Sequence, residues 1–412
     1  MVATMLDRFR ELRRALPPVY WTVWIGTLIN RAGGFVVPLL TFYLIGERGL
    51  SIGDAGAIVS LFGAGQVAAA LVGGVLADRL GRRATMAVSL LGGAALMFGL
   101  GAVTEPAAIA ALTLALGLVG ELYRPAVQAF VADVVPAEQR LRAYGLLYWA
   151  INMGFSIAPL AAGLVAGWSY TALFVIDGAT MAVYGVIVLV RVPETRPARA
   201  SGDGAARIGL LHIAADRVFL RFLLLTFLTA LIMFQSSAAL SAWMASQGHT
   251  ARTFGAVIAV NGVLIVLLQP SITARIASLD PRRVLTVSAV LMGAGFALHG
   301  TSALVLVHIA AVAIWTLGEI AAAPTSAAVV ARLSGPATRG RYQGLFTMSW
   351  GLASFAGPLV GPRVLEQAGP AALWGGCLAI GILAGAGFAT SAAERRLHSR
   401  RAAGGRRADP RS

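Results

Sequence analysis

An all-α membrane protein, with twelve transmembrane helices in two pseudo-symmetric six-helix halves, is the fold class this sequence predicts, and three observations predict it. Of 412 residues, 58% are hydrophobic and only 12% charged, about half the charge of an ordinary soluble domain. That is too little polar surface to cover a water-soluble molecule. Next, the apolar residues recur in blocks long enough for a helix to span ~30 Å of hydrocarbon. Finally, a slide of 199 positions lays Arg140, Arg142, Gly145, Leu146, Pro159 and Leu160 on Arg339, Arg341, Gly344, Leu345, Pro358 and Leu359, and Pro125 on Pro324. A chain that repeats itself over half its length is built from two like halves.

The elements follow in order. Residues 1–18 hold the charged run Asp7-Arg8-Phe9-Arg10-Glu11, a cytoplasmic lead-in rather than a signal peptide. Spans are predicted over 19–45, 53–77, 84–104, 107–133, 143–166 and 170–191, which make an N-terminal bundle of residues 19–191. Only a few residues separate the second and third spans, so these two are antiparallel neighbours. Residues 192–217, rich in Gly, Ala, Arg and Pro, read as a flexible cytoplasmic linker. Spans over 218–245, 253–277, 283–301, 304–331, 341–364 and 371–391 make the C-terminal bundle of residues 218–392, and a solvated basic tail covers 393–412.

The net charge is +15 and every basic residue is arginine. All arginines but Arg31, Arg48, Arg124, Arg252 and Arg363 fall in the two tails and the even-numbered turns. Short cytoplasmic loops retain positive charge, so both termini are expected in the cytoplasm, with the chain in the plasma (inner) membrane. The basic balance is thus a topology signal and no nucleic-acid partner is expected. A single cysteine, Cys377, excludes an internal disulfide and a multi-cysteine metal site. No metal or cofactor is expected, and the chain is expected to act as a monomer.

Between the second and third spans lies Gly74-Val75-Leu76-Ala77-Asp78-Arg79-Leu80-Gly81-Arg82-Arg83. This closely resembles the signature loop of the major facilitator superfamily of transporters, and Pro193-Glu194-Thr195 after the sixth span is similar to that superfamily too. The resemblance implies a twelve-helix carrier with substrate bound between its halves near the midplane. It also implies a cytoplasmic gate built from Asp78, Arg79, Gly81, Arg82 and Arg83, with Asp133 as a further member by position. The bland alternative is a basic turn that only fixes topology. In the fifth span, Gly154, Ala158, Pro159 and Gly163 resemble the helix-five motif of drug:proton antiporters, with Ala158 and Ala162 standing where glycines are usual. Small residues four apart let a neighbouring helix approach closely, which is the bland alternative there.

Charge inside the apolar blocks is the sharpest functional signal. An ionisable group at the bilayer centre costs at least ~2.5–3.5 kcal/mol, so it faces a cavity and has partners. Arg31, Glu121, Arg124, Asp177 and Glu319 are placed so. On one continuous fourth helix, Gly117, Glu121, Arg124 and Gln128 would share a polar stripe, and Glu121 and Arg124 could pair. Asn30 and Arg31 add an amide and a second cation, and Glu319 supplies an acid from the other half. The alternative for each is a static ion pair. Asn152, Gln235, Asn261 and Gln269 are expected to bond between helices, and Trp149, Trp315 and Trp350 to pack. His299 and His308 fall near external span ends without metal-site spacing.

A carboxyl in an apolar cavity can exchange a proton for a cationic or neutral substrate. The expected function is proton-coupled export of small hydrophobic or cationic compounds by alternating access, with a small-molecule substrate, protons and the lipid bilayer as partners. The alternatives are a proton-coupled importer or facilitator of a small nutrient, and a non-transporting receptor or scaffold. An enzyme is not expected, since no surface cluster of acids or histidine dyad is present.

Overall fold

The computed structural model describes residues 16–34, 36–195, 216–334 and 339–390. The N-terminal tail to residue 15, the linker from 196 to 215 and the tail from 391 lie outside the described residues. Every regular element described is helical. Packing divides the chain into two units: residues up to 195 with Met244–Val263, and residues from 216 to Trp243 with those from Leu264 onward.

In the first unit, the expected first span is two helices, α1 (Pro18–Ala32) and α2 (Val36–Gly46). Adjacent glycines, Gly33 and Gly34, weaken the helix where it parts, by roughly 1 kcal/mol each. The opened backbone is met from another helix: the Val36 amide donates to Asp177 Oδ2 at 3.1 Å. A carboxylate that the sequence offered for coupling thus caps the N-terminus of a half-helix.

Helices α3 (Ile52–Leu80) and α4 (Arg82–Ala102) are continuous, with Gly81 alone between them at φ 106°. The expected fourth span is again two helices, α5 (Pro106–Gly120) and α6 (Tyr123–Val134), followed by α7 (Arg140–Ala166) and α8 (Tyr170–Arg191). In this unit α4 packs along α8, α3 along α5 and α1 along α7.

The seventh span is likewise interrupted: α9 (Arg217–Met233), a 3₁₀ turn over Phe234–Ser237, then α10 (Ala239–Ser246). Next come α11 (Ala251–Ile276), α12 (Pro281–Leu298), α13 (Val305–Leu333) and α14 (Arg339–Thr390). Helix α14 covers the last two expected spans, which part at Gly369, where φ is 82°. In the second unit α12 packs against α13 and α14, and α9 against α14. Nine segments among the described residues are long and apolar enough to cross a membrane, α14 counting once.

The repeat is visible in the caps. Ser51 Oγ receives the Asp54 amide at 3.1 Å at the start of α3. At the start of α11, Thr250 Oγ1 receives the Thr253 amide at 3.2 Å. The two caps stand 199 positions apart.

Candidate functional site

The site forms where Pro125 interrupts a helix. Proline has no N–H to give the carbonyl four residues back, and its ring crowds that carbonyl. Here the carbonyl belongs to Glu121, and it accepts instead from the Arg124 amide at 3.2 Å, a three-residue step. Glu121 and Leu122 become a turn between α5 and α6. The expectation of one continuous helix with Gly117, Glu121, Arg124 and Gln128 on a single stripe is therefore corrected. Glu121 is buried, whereas Arg124 and Gln128, beyond the turn, are exposed.

A break of this kind parts the Tyr123 amide from its helical acceptor, the Val119 carbonyl, which takes the Leu122 amide at 3.3 Å instead. Ser89, on α4 and fully buried, takes both: its hydroxyl donates to Val119 O at 2.7 Å and accepts from Tyr123 N at 2.9 Å. One side chain splices the broken ladder. Sequence reasoning missed Ser89 and Tyr123, since a serine or tyrosine in an apolar run carries no mark of the partner it meets on another helix.

Around the splice sits the charge cluster. Glu121 Oε2 contacts Arg124 Nε directly and lies 3.8 Å from Arg31 Nη2. Arg31 also donates to the Tyr123 hydroxyl, and its guanidinium stands 5.4 Å from the Tyr123 ring centroid and 5.7 Å from that of Phe155. The side chains of Arg31 and Glu121 are 12% and 10% exposed, that of Arg124 47%. Arg31 and Glu121 are therefore largely buried, and Arg124, in direct contact with Glu121, reaches the exposed edge of the cluster. Arg31 Nε and Asn30 Oδ1 are buried without hydrogen-bond partners, so polar capacity remains unfilled beside the ion pair.

The helix-five residues set how close this cluster is drawn. A Cβ on Gly154 would overlap the Arg31 Cβ, so the glycine lets α7 press against the backbone of α1 that carries the cation. Ala158 and Ala162 are buried, Gly255 meets the Pro159 carbonyl, and a Cβ on Gly163 would come within 2.8 Å of the Ala251 carbonyl. These are close-packing contacts of the kind small residues permit.

The signature loop forms a second network. Arg82 is buried at 5% exposure, bonding Asp78 Oδ1 through Nη1 at 2.6 Å and Asp133 Oδ2 through Nε at 3.1 Å. The Thr195 hydroxyl donates to the same Asp133 oxygen at 2.9 Å. Glu194 receives the amides of Arg83 and Ala84 at 3.0 and 3.1 Å. Pro193-Glu194-Thr195, read from sequence as the start of a flexible linker, is thus docked on the N-terminus of α4. Arg79 is exposed.

In the second unit, Glu319 is half-buried on α13, which continues as helix through Pro324. His299 and His308 meet Nδ1 to Nδ1 at 2.8 Å, both fully buried. Asn152 and Gln235, expected to bond between helices, donate to carbonyls of their own helical turns, Tyr148 and Leu231. Trp149 stacks on Trp24, Trp315 on Phe296, and Trp350 meets Phe234 edge-on.

Comparisons agree with this architecture. A family model described as Major Facilitator Superfamily matches residues 23–273 and 222–411. An uncharacterized MFS-type transporter, YqjV of Bacillus subtilis, is 25% identical over 85% of this chain and 87% of its own. A Na⁺, Li⁺, K⁺/H⁺ antiporter of Planococcus maritimus is 27% identical, covering 80% and 85%. The quinolone resistance protein NorA of Staphylococcus aureus is 27% identical over 48% of this chain and 51% of its own. Among solved structures, the nucleoside transporter NupG superposes with a TM-score of 0.73 at 16% identity, over 93% of this chain and 99% of that one. A POT family transporter bound to 5-aminolevulinic acid gives 0.76 at 15%, over 90% and 95%. At such identities these two speak for the fold alone. With a family model covering nearly the whole chain, a helix pattern to match and relatives that are transporters rather than enzymes, this protein belongs to the Major Facilitator Superfamily.

Proposed function

We propose that this chain is a twelve-span, proton-coupled exporter of small hydrophobic or cationic compounds, working by alternating access in the plasma membrane with both termini cytoplasmic. The observation that carries the reading is the cluster of Arg31, Glu121 and Arg124 inside apolar segments, with one cation held at its open edge. A proton and a cationic substrate are competing ligands for the same carboxylate, and either can take the place of Arg124 on Glu121. Glu319 supplies a second acid, with Asp177, Asn30 and Gln128 as supporting polar groups. Asp78, Arg79, Gly81, Arg82, Arg83 and Asp133 form the cytoplasmic gate. A drug-resistance protein and a cation/proton antiporter among the relatives support export by exchange. A proton falling through ~100 mV releases ~2.3 kcal/mol, enough for a roughly fifty-fold substrate gradient.

The test is proton movement in everted vesicles carrying an acid interior. Addition of a lipophilic cation or antibiotic should release protons from the lumen, and Glu319→Gln or Glu121→Gln should abolish the release. Uptake of sugars or peptides without proton release would replace the exporter by a nutrient carrier. Unchanged behaviour of both variants would point to a receptor or scaffold.

A further inference from the structure

The repeat that lays Pro125 on Pro324 also lays Ser89 on Ser288. In the first unit the proline has opened its helix and Ser89 has stepped into the gap. In the second unit the proline is present, the helix α13 is unbroken, and Ser288 is 2% exposed with a hydroxyl that has no hydrogen-bond partner. Helix-borne serines ordinarily return their hydroxyl to a carbonyl of the preceding turn, as Ser236, Ser241, Ser349 and Ser354 do here. Ser288 does not. Its backbone packs on the equivalent stretch of the neighbouring helix: a Cβ on Gly318 would stand 2.7 Å from the Ser288 carbonyl, and Gly318 is the counterpart of Val119 under the slide.

We propose that α13 has a second conformation, opened between Gly318 and Ala322, in which the Ser288 hydroxyl bridges the Gly318 carbonyl and the Ala322 amide as Ser89 bridges Val119 and Tyr123. Ser288 already lies against Gly318 through its backbone, its hydroxyl is uncommitted, and Pro324 already withholds a donor from the Ile320 carbonyl. Opening there turns Glu319 about the helix axis. Ser288 is thereby a positioning residue for the acid that the proposed transport cycle uses, and that consequence, unlike the opening itself, rests on the exporter reading.

Hydrogen exchange of the full chain in lipid nanodiscs, followed in peptides covering residues 315–326, tests it. The Ala321–Ala323 amides should exchange at least about threefold slower in Ser288→Ala than in the parent, because the opened state loses its bridge. Ser288→Thr should exchange at the parent rate, and Pro324→Ala should be slow like the alanine variant. Parent-like exchange in Ser288→Ala or Pro324→Ala overturns the proposal. Exchange needs no substrate, so a protein that moved no compound in vesicles would sink the exporter reading while this result stood on its own.

Discussion

Two stretches of this molecule carry the same proline in the same place of the repeat, and only one of them is broken. Pro125 stands in the first turn of α6, just after the Glu121-Leu122 turn that parts it from α5, whereas Pro324 lies inside a continuous α13. The local chemistry of the two prolines is identical, so what differs must be what surrounds them. At the first, the turn carries Glu121 and is followed by Arg124, with Arg31 nearby and a serine hydroxyl spliced into the ladder. At the second, Glu121 is replaced by Ile320 and Arg124 by Ala323, and the serine hydroxyl is unused. A proline permits a break; the ion cluster and the hydroxyl stabilise the broken form.

The largest effect should come from breaking the cluster that sets the first stretch apart. Arg31→Ala removes one of two cations from a carboxylate that is 10% exposed, and removing one partner of a buried pair typically costs 3–5 kcal/mol. A strongly lowered unfolding midpoint in detergent is expected, together with loss of transport. Arg31→Lys keeps the charge but loses the planar contact with Tyr123 and Phe155, and should fall between the two. A loss below about 1 kcal/mol in the alanine variant would show that the cluster does not hold the break.

The next effect separates the two serines. Ser89→Ala leaves the Tyr123 amide buried without its acceptor, while the Val119 carbonyl keeps the Leu122 amide, a cost of about 1–3 kcal/mol. Ser288→Ala removes a hydroxyl with no partner and should be neutral or slightly stabilising in the same unfolding experiment. Equal losses from the two variants would erase the distinction between the stretches.

Most of the spans were legible because hydrocarbon thickness imposes a length that composition must meet, and Arg31, Glu121 and Arg124 stood out because charge in such runs is costly. The interruptions were not legible. Gly33-Gly34 and Pro125 occur in sequences that also make intact helices, and Pro324 shows that the same residue can be absorbed. Their outcome depends on groups far away in the chain: Asp177 for the Val36 amide, Ser89 for Val119 and Tyr123. Pro193-Glu194-Thr195 looked like linker for the same reason, since its partners are backbone amides at the start of α4, which no side-chain pattern announces.

The smallest expected effect concerns that segment, and it sharpens the comparison at another pair of equivalent positions. Gly81 precedes α4 and Asp280 precedes α12, again 199 apart. Asp280 caps its own helix, receiving the Arg282 amide at 3.0 Å. Gly81 has no side chain to do so; its φ of 106° favours glycine, and a Cβ there would overlap the Glu194 carboxylate. The cap of α4 is therefore borrowed from Glu194, more than a hundred residues away in the chain, and the same docking brings the Thr195 hydroxyl to Asp133. Glu194→Ala should cost about 0.5–1 kcal/mol, a normal cap loss at an exposed site, and Asp280→Ala should cost more, since it also removes a largely buried partner of Arg282 at 2.9 Å. The two should differ in reach. Losing the borrowed cap also frees Thr195 from Asp133, so proteolysis of the 192–217 segment should quicken in Glu194→Ala and stay at the parent rate in Asp280→Ala. Equal proteolysis in both variants would mean that Glu194 caps the helix without tethering the segment that follows it.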